Sequence, residues 1–221
     1  MVTARRASCK PARSRKPAIR PGRAGVGVSR GARAGGCAGP HGLGYSVALG
    51  TQGRESKRLE QLTTIELAKE YMKFSAAHFT IFSATERERL HGHNFRVAAS
   101  ITAPVGDNGM CFSYRILKDK LERLCDELDE YMLLPALSPH LRIGEQGAQY
   151  RVEFAGEELF FPRSDTLLLP VRNSTVEEYA RYLMERLLED SALIGGRDIR
   201  EVGIKVSSGP GQWGTSHWRR D

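Results

Sequence analysis

The sequence predicts an α+β domain built on an antiparallel sheet, and two kinds of pattern support this prediction. Apolar and polar residues alternate over residues 72–78, 93–101 and 201–207, as they do in strands with one buried face. Apolar residues return at helical spacing over 117–128 and 176–188, and charged residues occupy the opposite side. Strands precede and follow the helical segments, and the sequence contains no internal repeat.

The first two predicted strands are separated by a polar loop. His78 ends the first strand, and His93 begins the second. The alternation then continues to Ile101, until the turn-forming segment from Pro104 to Gly109 breaks it. If the two strands pair antiparallel, their histidines lie across the loop from each other.

Two amphipathic helices follow these strands. The first has leucines at positions i, i+4, i+7 and i+11, which are Leu117, Leu121, Leu124 and Leu128. The second begins at Ser174, which forms a capping box with Glu177, and it ends at Gly195-Gly196. A short last strand is expected after the turn at Gly209-Pro210-Gly211.

Residues 141–171, between the two helices, predict an inserted β-hairpin. Its strands are expected at 149–154 and 158–161, on either side of an Ala155-Gly156 turn. Three leucines at 167–169 then lead to a proline. We therefore expect this segment to be an insertion into the α+β domain.

The first 50 residues differ in composition from the rest of the chain. They hold ten of the 33 Lys and Arg residues and no acidic residue, so residues 51–221 carry 23 basic and 26 acidic side chains. Without an apolar periodicity, we expect residues 1–55 to be a disordered basic extension and 56–221 to form the domain. Three explanations of the extension stay open: an organellar transit peptide, a basic arm for anionic partners, or sequence upstream of the true translation start.

Composition argues against several functional classes. The longest uncharged stretch, residues 34–53, contains seven glycines, a proline and a histidine, which excludes a membrane-spanning helix there. The four cysteines form no Cys-x-x-Cys pair, which argues against a disulfide framework. Because the predicted domain is mildly acidic, the positive net charge does not indicate a nucleic-acid-binding domain. We expect a cytoplasmic protein, with organellar import as the alternative if the extension is a transit peptide.

Three histidines form the most informative group in the sequence. His91 and His93 stand at positions i and i+2, so both side chains project to one face of a strand, and Gly92 allows a close approach to the backbone. An antiparallel pairing would add His78 and complete a three-histidine site. Three imidazoles with the fourth position free are the catalytic form of zinc coordination. The alternative is a chance pair in a polar loop, with His78 as a hydrogen-bonded core residue.

The residues around these histidines closely resemble the zinc motifs of the 6-pyruvoyltetrahydropterin synthase / 6-carboxytetrahydropterin synthase family. The matching segments are Phe-Ser-Ala-Ala-His-Phe at 74–79 and Leu-His-Gly-His-Asn-Phe at 90–95. Further matches follow in the family's order: Gly109-Met110, Leu128-Asp129, Ser174-Thr175-Val176-Glu177 and Pro210-Gly211-Gln212. The resemblance covers residues 67–218 apart from the insertion.

The resemblance implies the tunnelling fold, or T-fold, in which four antiparallel strands and two helices per subunit surround a central barrel. It implies a homo-oligomer, either a trimer or a dimer of trimers, with the active site at the subunit interface. The expected activity is that of a lyase that rearranges or cleaves the side chain of 7,8-dihydroneopterin triphosphate or a similar dihydropterin. The resemblance assigns a Zn²⁺ cofactor to His78, His91 and His93.

The residue expected to act as the base departs from the family pattern. The family's usual base is a Cys four residues before the first His of the His-Gly-His motif, and Arg87 stands there. The next residue is Glu88, which resembles a variant branch that carries Glu and forms 6-hydroxymethyl-dihydropterin. Glu86 is an alternative base in the same loop, and a merely solvated loop is another interpretation.

The family's proton relay also departs from its pattern. An Asp-His pair is expected there, and this sequence has Asp129-Glu130. We assign both residues to the catalytic site, with Glu130 as the relay if burial raises its pKa. His140, from the following loop, is the alternative relay, and simple exposure of a charged pair at a helix end is the other interpretation.

Substrate contacts are implied at Thr175, Glu177 and Gln212, which lie in matched motifs. Ser208 occupies the place of the Glu that anchors the pterin in the family. A serine cannot make the bidentate contact of a carboxylate, so either the substrate is not a standard pterin or Glu201 substitutes.

Three functions therefore stay open at this point. The first is a zinc-dependent pterin synthase or lyase that acts through Glu88. The second is a zinc-dependent family member with another purine-like or pterin-like substrate. The third is a zinc-stabilised binding or assembly protein without catalysis.

Overall fold

The computed structural model describes residues 60–221, except for the side chains of residues 192 and 193. The predicted extension, 1–55, lies outside the described residues. Within them the chain forms three α-helices, α1 (Arg115–Asp126), α2 (Val176–Leu188) and α3 (Ser191–Ile194), and a short 3₁₀ helix at Arg163–Asp165. It also forms ten strands: β1 (Leu62–Leu67), β2 (Lys73–His78), β3 (His91–Pro104), β4 (Tyr131–Pro135), β5 (Arg142–Gln146), β6 (Gln149–Phe154), β7 (Glu157–Pro162), β8 (Thr166–Leu169), β9 (Glu201–Ser207) and β10 (Gly214–Arg219).

Strand β3 is the centre of a seven-stranded sheet, in which six strands follow the order β10, β9, β3, β2, β4, β8 and the seventh, β1, also pairs with β3. With 14 residues, β3 is long enough to pair with both β2 and β1 along one edge, while β9 covers the other edge. These pairings and that of β10 with β9 are antiparallel. The predicted α+β class, with antiparallel strands and two main helices, is confirmed, and β1, which the sequence pattern did not predict, adds a fifth strand to the four that were expected.

Two strands of this sheet run parallel to their neighbours, which the sequence pattern did not predict. β4 pairs with β2 through Ala76 and Ala77, and residues 132–135 of β4 pair with residues 166–169 of β8. The leucines of 167–169, assigned to the insertion, therefore belong to the main sheet. Both strands are short continuous apolar runs, which lack the alternation that identifies a half-buried strand.

The two main helices pack on one face of the sheet. The predicted leucine stripe of α1 is buried, including Leu128 just after the helix ends. From α2, the ring of Tyr179 meets the stacked rings of Phe74 and Phe95 edge-on, with centroids 6.1 and 5.2 Å away. The ring centroid of His78, the last residue of β2, lies 5.3 Å from that of Phe95 and 6.4 Å from that of Tyr179. Among the described residues, no helix is long and apolar enough to cross a membrane.

Helix α2 begins one residue later than predicted. Its N-cap is Thr175, whose hydroxyl accepts a hydrogen bond from the backbone N–H of Glu178 at 3.4 Å. Ser174 is buried, and its hydroxyl donates to the carbonyl oxygen of Leu133 at 3.2 Å. The predicted cap residue instead ties the start of the helix to β4.

The insertion forms a three-stranded antiparallel sheet rather than a hairpin. The predicted strands correspond to β6 and β7, whereas β5 is mostly exposed and shows no apolar alternation. Ala155 and Gly156, with φ of 48° and 84°, form the tight turn between β6 and β7. A second apolar cluster joins this sheet to the segment after β2 and to β4: Phe79, Ile81, Met132, Leu134, Val152 and Phe154.

Candidate metal centre and catalytic site

The facing ends of β2 and β3 bring three imidazoles together. In the register of these strands His78 lies opposite His91, and Ala76 lies opposite His93. The ring centroids are 4.6 to 5.3 Å apart. Gly92 permits this close pairing, because a Cβ atom there would lie 3.2 Å from the carbonyl oxygen of Ala76. The antiparallel pairing on which the three-histidine prediction depended is therefore present.

Two backbone carbonyls orient the rings. Nδ1 of His78 lies 3.0 Å from the carbonyl oxygen of Ser174, and Nδ1 of His91 lies 2.8 Å from that of Arg89. Because a carbonyl oxygen only accepts, each ring carries its proton on Nδ1 and presents the lone pair of Nε2. Burial lowers the pKa of His78, although the hydrogen bond to Ser174 opposes this shift. His78 is therefore neutral at physiological pH, the form that binds metals.

The remaining ring nitrogens converge on one point. Nε2 of His78 is buried without a hydrogen-bond partner in the described part of the chain. Nε2 of His91 lies 3.0 Å from Nε2 of His93, and one ligand atom from each ring lies within 4.8 Å of the others. Imidazole nitrogens that turn to one point are the donor set of a divalent metal site. The three residues therefore fit a metal ion.

Asn173, in the segment before α2, supports the histidine site. The sequence pattern did not indicate this residue. Nδ2 of Asn173 donates to the carbonyl oxygen of Ile81 at 2.8 Å, and Oδ1 accepts from the N–H of Ile81 at 3.0 Å. The same Oδ1 accepts from the N–H of Ser174 at 2.9 Å. Asn173 thus fixes both the carbonyl that orients His78 and the chain just after His78. Its place next to the matched Ser-Thr-Val-Glu motif was the available signal.

Glu88 lies beside the histidines. Its Oε2 is 3.9 Å from Nε2 of His91 and accepts a hydrogen bond from the N–H of Thr80 at 3.0 Å. The backbone N–H of Glu88 donates to the carbonyl oxygen of Thr80 at 2.8 Å. Burial acts to raise the pKa of Glu88, but the hydrogen bonds from Thr80 and the nearby His91 and His78 lower it below its usual value. The side chain is therefore a carboxylate at neutral pH.

Glu86, the alternative base, lies at the tip of the same loop. Its carbonyl oxygen accepts hydrogen bonds from the N–H groups of Phe82 and Ser83 at 2.9 and 3.2 Å, which closes a tight turn. Its side chain is exposed. Of the two loop acids, the structure brings Glu88 to the histidines.

Asp129 and Glu130 lie in the connection between α1 and β4. Oδ1 of Asp129 accepts from the N–H of Ser75 at 2.7 Å, and the N–H of Glu130 donates to the carbonyl oxygen of Ser75 at 2.7 Å. Glu130 takes a positive φ of 66° where these bonds dock the connection on β2. It lines a cavity of about 520 Å³ together with His93 and Asp165, an acid that the sequence analysis did not single out.

His140, the alternative proton relay, and Glu201, the alternative pterin anchor, both lie away from the positions that these roles require. His140 lines a different cavity of about 450 Å³, formed by the inserted sheet with residues such as Arg142, so it does not share the cavity of Glu130. Glu201 forms an ion pair with Arg219 at 2.7 Å, at the end of β9 remote from Ser208. Glu201 therefore does not replace the missing anchor.

The four predicted substrate-binding residues lie on two adjoining segments. Thr175 caps α2, and Glu177 is exposed in the first turn of that helix. Ser208 and Gln212 lie in the turn between β9 and β10, where Nε2 of Gln212 donates to the Ser208 hydroxyl at 3.0 Å. The absence of a side chain at Gly214 allows the two segments to approach closely, because a Cβ there would lie 2.7 Å from the backbone of the first residue of α2.

Known proteins match most of the described chain. A family model described as 6-pyruvoyl tetrahydropterin synthase matches residues 66–217. A protein of Methanocaldococcus jannaschii, provisionally named 6-carboxy-5,6,7,8-tetrahydropterin synthase, is 25% identical over 142 residues, which cover 64% of this chain and 86% of that protein.

Solved structures are also similar to this chain. 6-Pyruvoyl tetrahydropterin synthase from Plasmodium vivax is 29% identical with a TM-score of 0.69, covering 73% of this chain and 100% of that one. The Plasmodium falciparum enzyme is 30% identical with a TM-score of 0.68, covering 72% of this chain and 99% of that one. The Plasmodium vivax enzyme is also known with a catalytic glutamate replaced by alanine or by cysteine, and both variants have a TM-score of 0.69 to this chain.

Proposed function

The chain belongs to the 6-pyruvoyl tetrahydropterin synthase family, and we propose on this basis that it is a zinc-dependent lyase. Its substrate is 7,8-dihydroneopterin triphosphate or a similar dihydropterin, and the reaction takes place on the side chain of the pterin. One observation carries the proposal: three imidazoles converge on a point, and a carboxylate oxygen of Glu88 lies 3.9 Å from the nearest ring nitrogen.

His78, His91 and His93 would hold the zinc ion through Nε2, and in His78 and His91 a backbone carbonyl occupies the other ring nitrogen. Three protein ligands would leave one coordination position of the ion open. A zinc ion held by these histidines would supply a Lewis acid that polarises a hydroxyl or carbonyl of the substrate side chain. The buried Nε2 of His78, which lacks a partner among the described residues, supports this assignment.

Glu88 accepts the proton that the reaction removes from the substrate. Its pKa is held below the usual value, so it is ionised at neutral pH and can accept a proton without prior activation. The catalytic glutamate of the Plasmodium vivax enzyme supports a glutamate base in this family. With Glu rather than Cys as the base, we propose cleavage to 6-hydroxymethyl-dihydropterin as the reaction within the family.

The remaining proposed roles concern the cavity next to His93 and the two segments at the start of α2 and between β9 and β10. Glu130 lines this cavity and would relay the proton, while Asp129 holds the connection in place through Ser75. Thr175, Glu177, Ser208 and Gln212 would contact the pterin. Because Ser208 and Gln212 are neutral, they bind its pyrimidine edge without the charge of the family's carboxylate.

We propose a homo-oligomer, a trimer or a dimer of trimers, in the cytoplasm. A second candidate is a zinc-stabilised T-fold protein that binds a ligand or a partner without catalysis. The neutral Ser208 and the Glu130 in place of a histidine favour this candidate, because both positions depart from the family's catalytic pattern.

The decisive experiment compares Glu88→Gln with Glu86→Gln as the matched control in the same loop. The product formed from dihydroneopterin triphosphate and the zinc content per subunit are measured for both variants and the unmodified protein. We expect Glu88→Gln to lower turnover by roughly a hundredfold or more with zinc retained, in the range of a lost general base, and Glu86→Gln to be unaffected. Unmodified protein that binds zinc and forms no product favours the non-catalytic candidate.

A further inference from the structure

Arg87 connects the loop that carries Glu88 to the inserted sheet. Its Nη2 donates to Oε2 of Glu157 at 2.8 Å, and its Nη1 donates to the carbonyl oxygen of Glu88 at 2.9 Å. The Arg87 side chain is 17% exposed, so most of it is withdrawn from water. A single guanidinium therefore contacts both the insertion and the backbone of the proposed base.

Two aromatic rings enclose this guanidinium. Its central carbon lies 5.1 Å from the ring centroid of Phe79 and 5.7 Å from that of Phe154, distances at which a cation is attracted to a ring face. Phe79 directly follows His78 in the main domain, and Phe154 is the last residue of β6 in the insertion. The guanidinium is thus held between the two parts of the chain.

The β6–β7 turn presents the partner carboxylate. Ala155 has a positive φ of 48°, a strained conformation for a residue with a side chain, and Gly156 completes the reversal. Glu157 follows at once and is 64% exposed on its side chain. An ion pair with one exposed partner is weak by itself, so the ring contacts and the bond to Glu88 must add to it.

The loop's own hydrogen bonds do not connect it to the insertion. Glu88 bonds to Thr80 within the loop, and Arg87 forms an isolated bridge with Ile81. These contacts set the shape of the loop. The loop is placed against the inserted sheet by the apolar packing of Phe79 and Ile81 and by the polar contact of Arg87 with Glu157.

We propose that Arg87, paired with Glu157, is a positioning residue that holds Glu88 toward the histidines. This inference rests on the proposed function, because it concerns the placement of the base which that function requires. It gives the insertion a role in catalysis through Glu157. It also gives Arg87, which occupies the position of the family's usual base, a role that needs no proton transfer.

The test uses the zinc-loaded, full-length protein with Arg87→Ala, Glu157→Ala and the double variant. Arg163→Ala is the matched control, because it breaks another ion pair of the inserted sheet, with Glu145 at 2.8 Å. We expect each single variant to lower kcat about tenfold with KM and zinc content unchanged, since a small misplacement of a catalytic group is costly. The double variant should be no slower than Arg87→Ala, because both changes remove the same ion pair between Arg87 and Glu157.

Amide hydrogen exchange supplies a readout that is independent of activity. We expect the peptide that spans residues 79–90 to exchange about tenfold faster in Arg87→Ala and Glu157→Ala than in the unmodified protein. Arg163→Ala should leave that peptide unchanged. Glu157→Asp should partly restore kcat, because it keeps the charge that pairs with Arg87.

The outcomes separate this inference from the proposed function. Unchanged kcat and unchanged exchange in Glu157→Ala overturn the positioning role, whereas an inactive Glu88→Gln variant would still support the proposed function. A double variant about a hundredfold slower shows that the two residues act separately and also overturns it. If Glu88→Gln keeps near-normal turnover, the proposed base is wrong and the positioning role fails with it.

Discussion

His78 and Glu88 belong to the same candidate site, but a central strand holds His78 and a loop holds Glu88. His78 is 4% exposed, at the end of a central strand, and the carbonyl of Ser174 orients its ring. Glu88 is partly exposed in a loop whose hydrogen bond to the inserted sheet is made by Arg87. A strand cannot slip by one residue without turning its buried face outward, so the histidines are strongly specified by register. Changes in the insertion should therefore affect the base and leave the metal ligands in place.

The largest expected effect tests the histidine side of this comparison. Replacing His93 with Ala should lower the zinc affinity at least a hundredfold, because even a lost outer-shell partner costs ten- to a hundredfold. Competition with a chromophoric chelator measures this affinity, and Arg163→Ala is the control. Unchanged zinc affinity in the His93 variant would show that the three histidines are not the ligand set.

The next prediction tests the insertion side. Phe154→Ala should lower the free energy of unfolding by about 3 to 4 kcal/mol, because it leaves a cavity in the cluster that joins the inserted sheet to the main domain. The zinc affinity should stay within about threefold, since the histidines belong to the main sheet. Urea unfolding followed by circular dichroism measures the first quantity and chelator competition the second.

Phe160→Ala is the control for this variant, because its side chain is 44% exposed on the same inserted sheet. It should change the unfolding free energy by less than about 0.5 kcal/mol. If Phe154→Ala loses zinc as His93→Ala does, the inserted sheet and the histidine strands form one cooperative unit. The metal ligands would then not be independent of the insertion.

A third prediction concerns the start of α2, which supports the histidines through Ser174. Burial acts to raise the pKa of Glu178, but hydrogen bonds from Arg181 and from the backbone and side chain of Arg172 lower the pKa to about 2. A folded-state pKa below the unfolded value of 4.5 stabilises the protein above pH about 4.5. That stabilisation is lost as the pH falls toward 2.

Glu178→Gln should therefore lower the unfolding free energy by about 2 to 3 kcal/mol at pH 7 and have little effect near pH 2. Urea unfolding at a series of pH values measures this difference. Glu185→Gln is the control, since its ion pair with Arg181 is exposed at 53% on the Glu185 side. A constant difference between pH 7 and pH 2 would contradict the assigned origin of the stabilisation.

The smallest expected effect separates two roles of Thr175. As the N-cap of α2, its replacement by Ala should cost about 1 kcal/mol of unfolding free energy, and Thr175→Ser should restore most of it. If Thr175 also contacts the pterin, Thr175→Ala should in addition raise KM for the dihydropterin, which the loss of the helix cap alone would not do. Unchanged KM in the stable Thr175→Ser and destabilised Thr175→Ala variants would remove Thr175 from the substrate-binding set.

The predictable part of the molecule follows from rules that act over a few residues. Alternation of apolar and polar residues identified β2, β3 and β9, because successive side chains of a strand point to opposite faces. The same rule placed His91 and His93 on one face, and the antiparallel pairing of β2 with β3 brought His78 opposite His91. The leucine spacing of α1 identified its buried side in the same way.

The features that the sequence analysis missed depend on contacts between distant segments. β4 and β8 become strands because they pair in parallel inside the main sheet, and neither has a periodic pattern of its own. The three-stranded insertion depends on the exposed β5, whose pairing with β6 gives it its conformation. Helix α2 starts at Thr175 because Ser174 is engaged with Leu133 in β4.

By itself, the sequence determined which residues share a face and which of them carry metal-binding and proton-accepting groups. The tertiary structure decided which faces meet. Arg87 and Glu157 are 70 residues apart, and Asn173 and Ile81 are 92 apart, so no local periodicity relates either pair. Their contacts exist because burial of the two apolar clusters brings these segments together, and the polar groups at the boundary then find their hydrogen-bond partners.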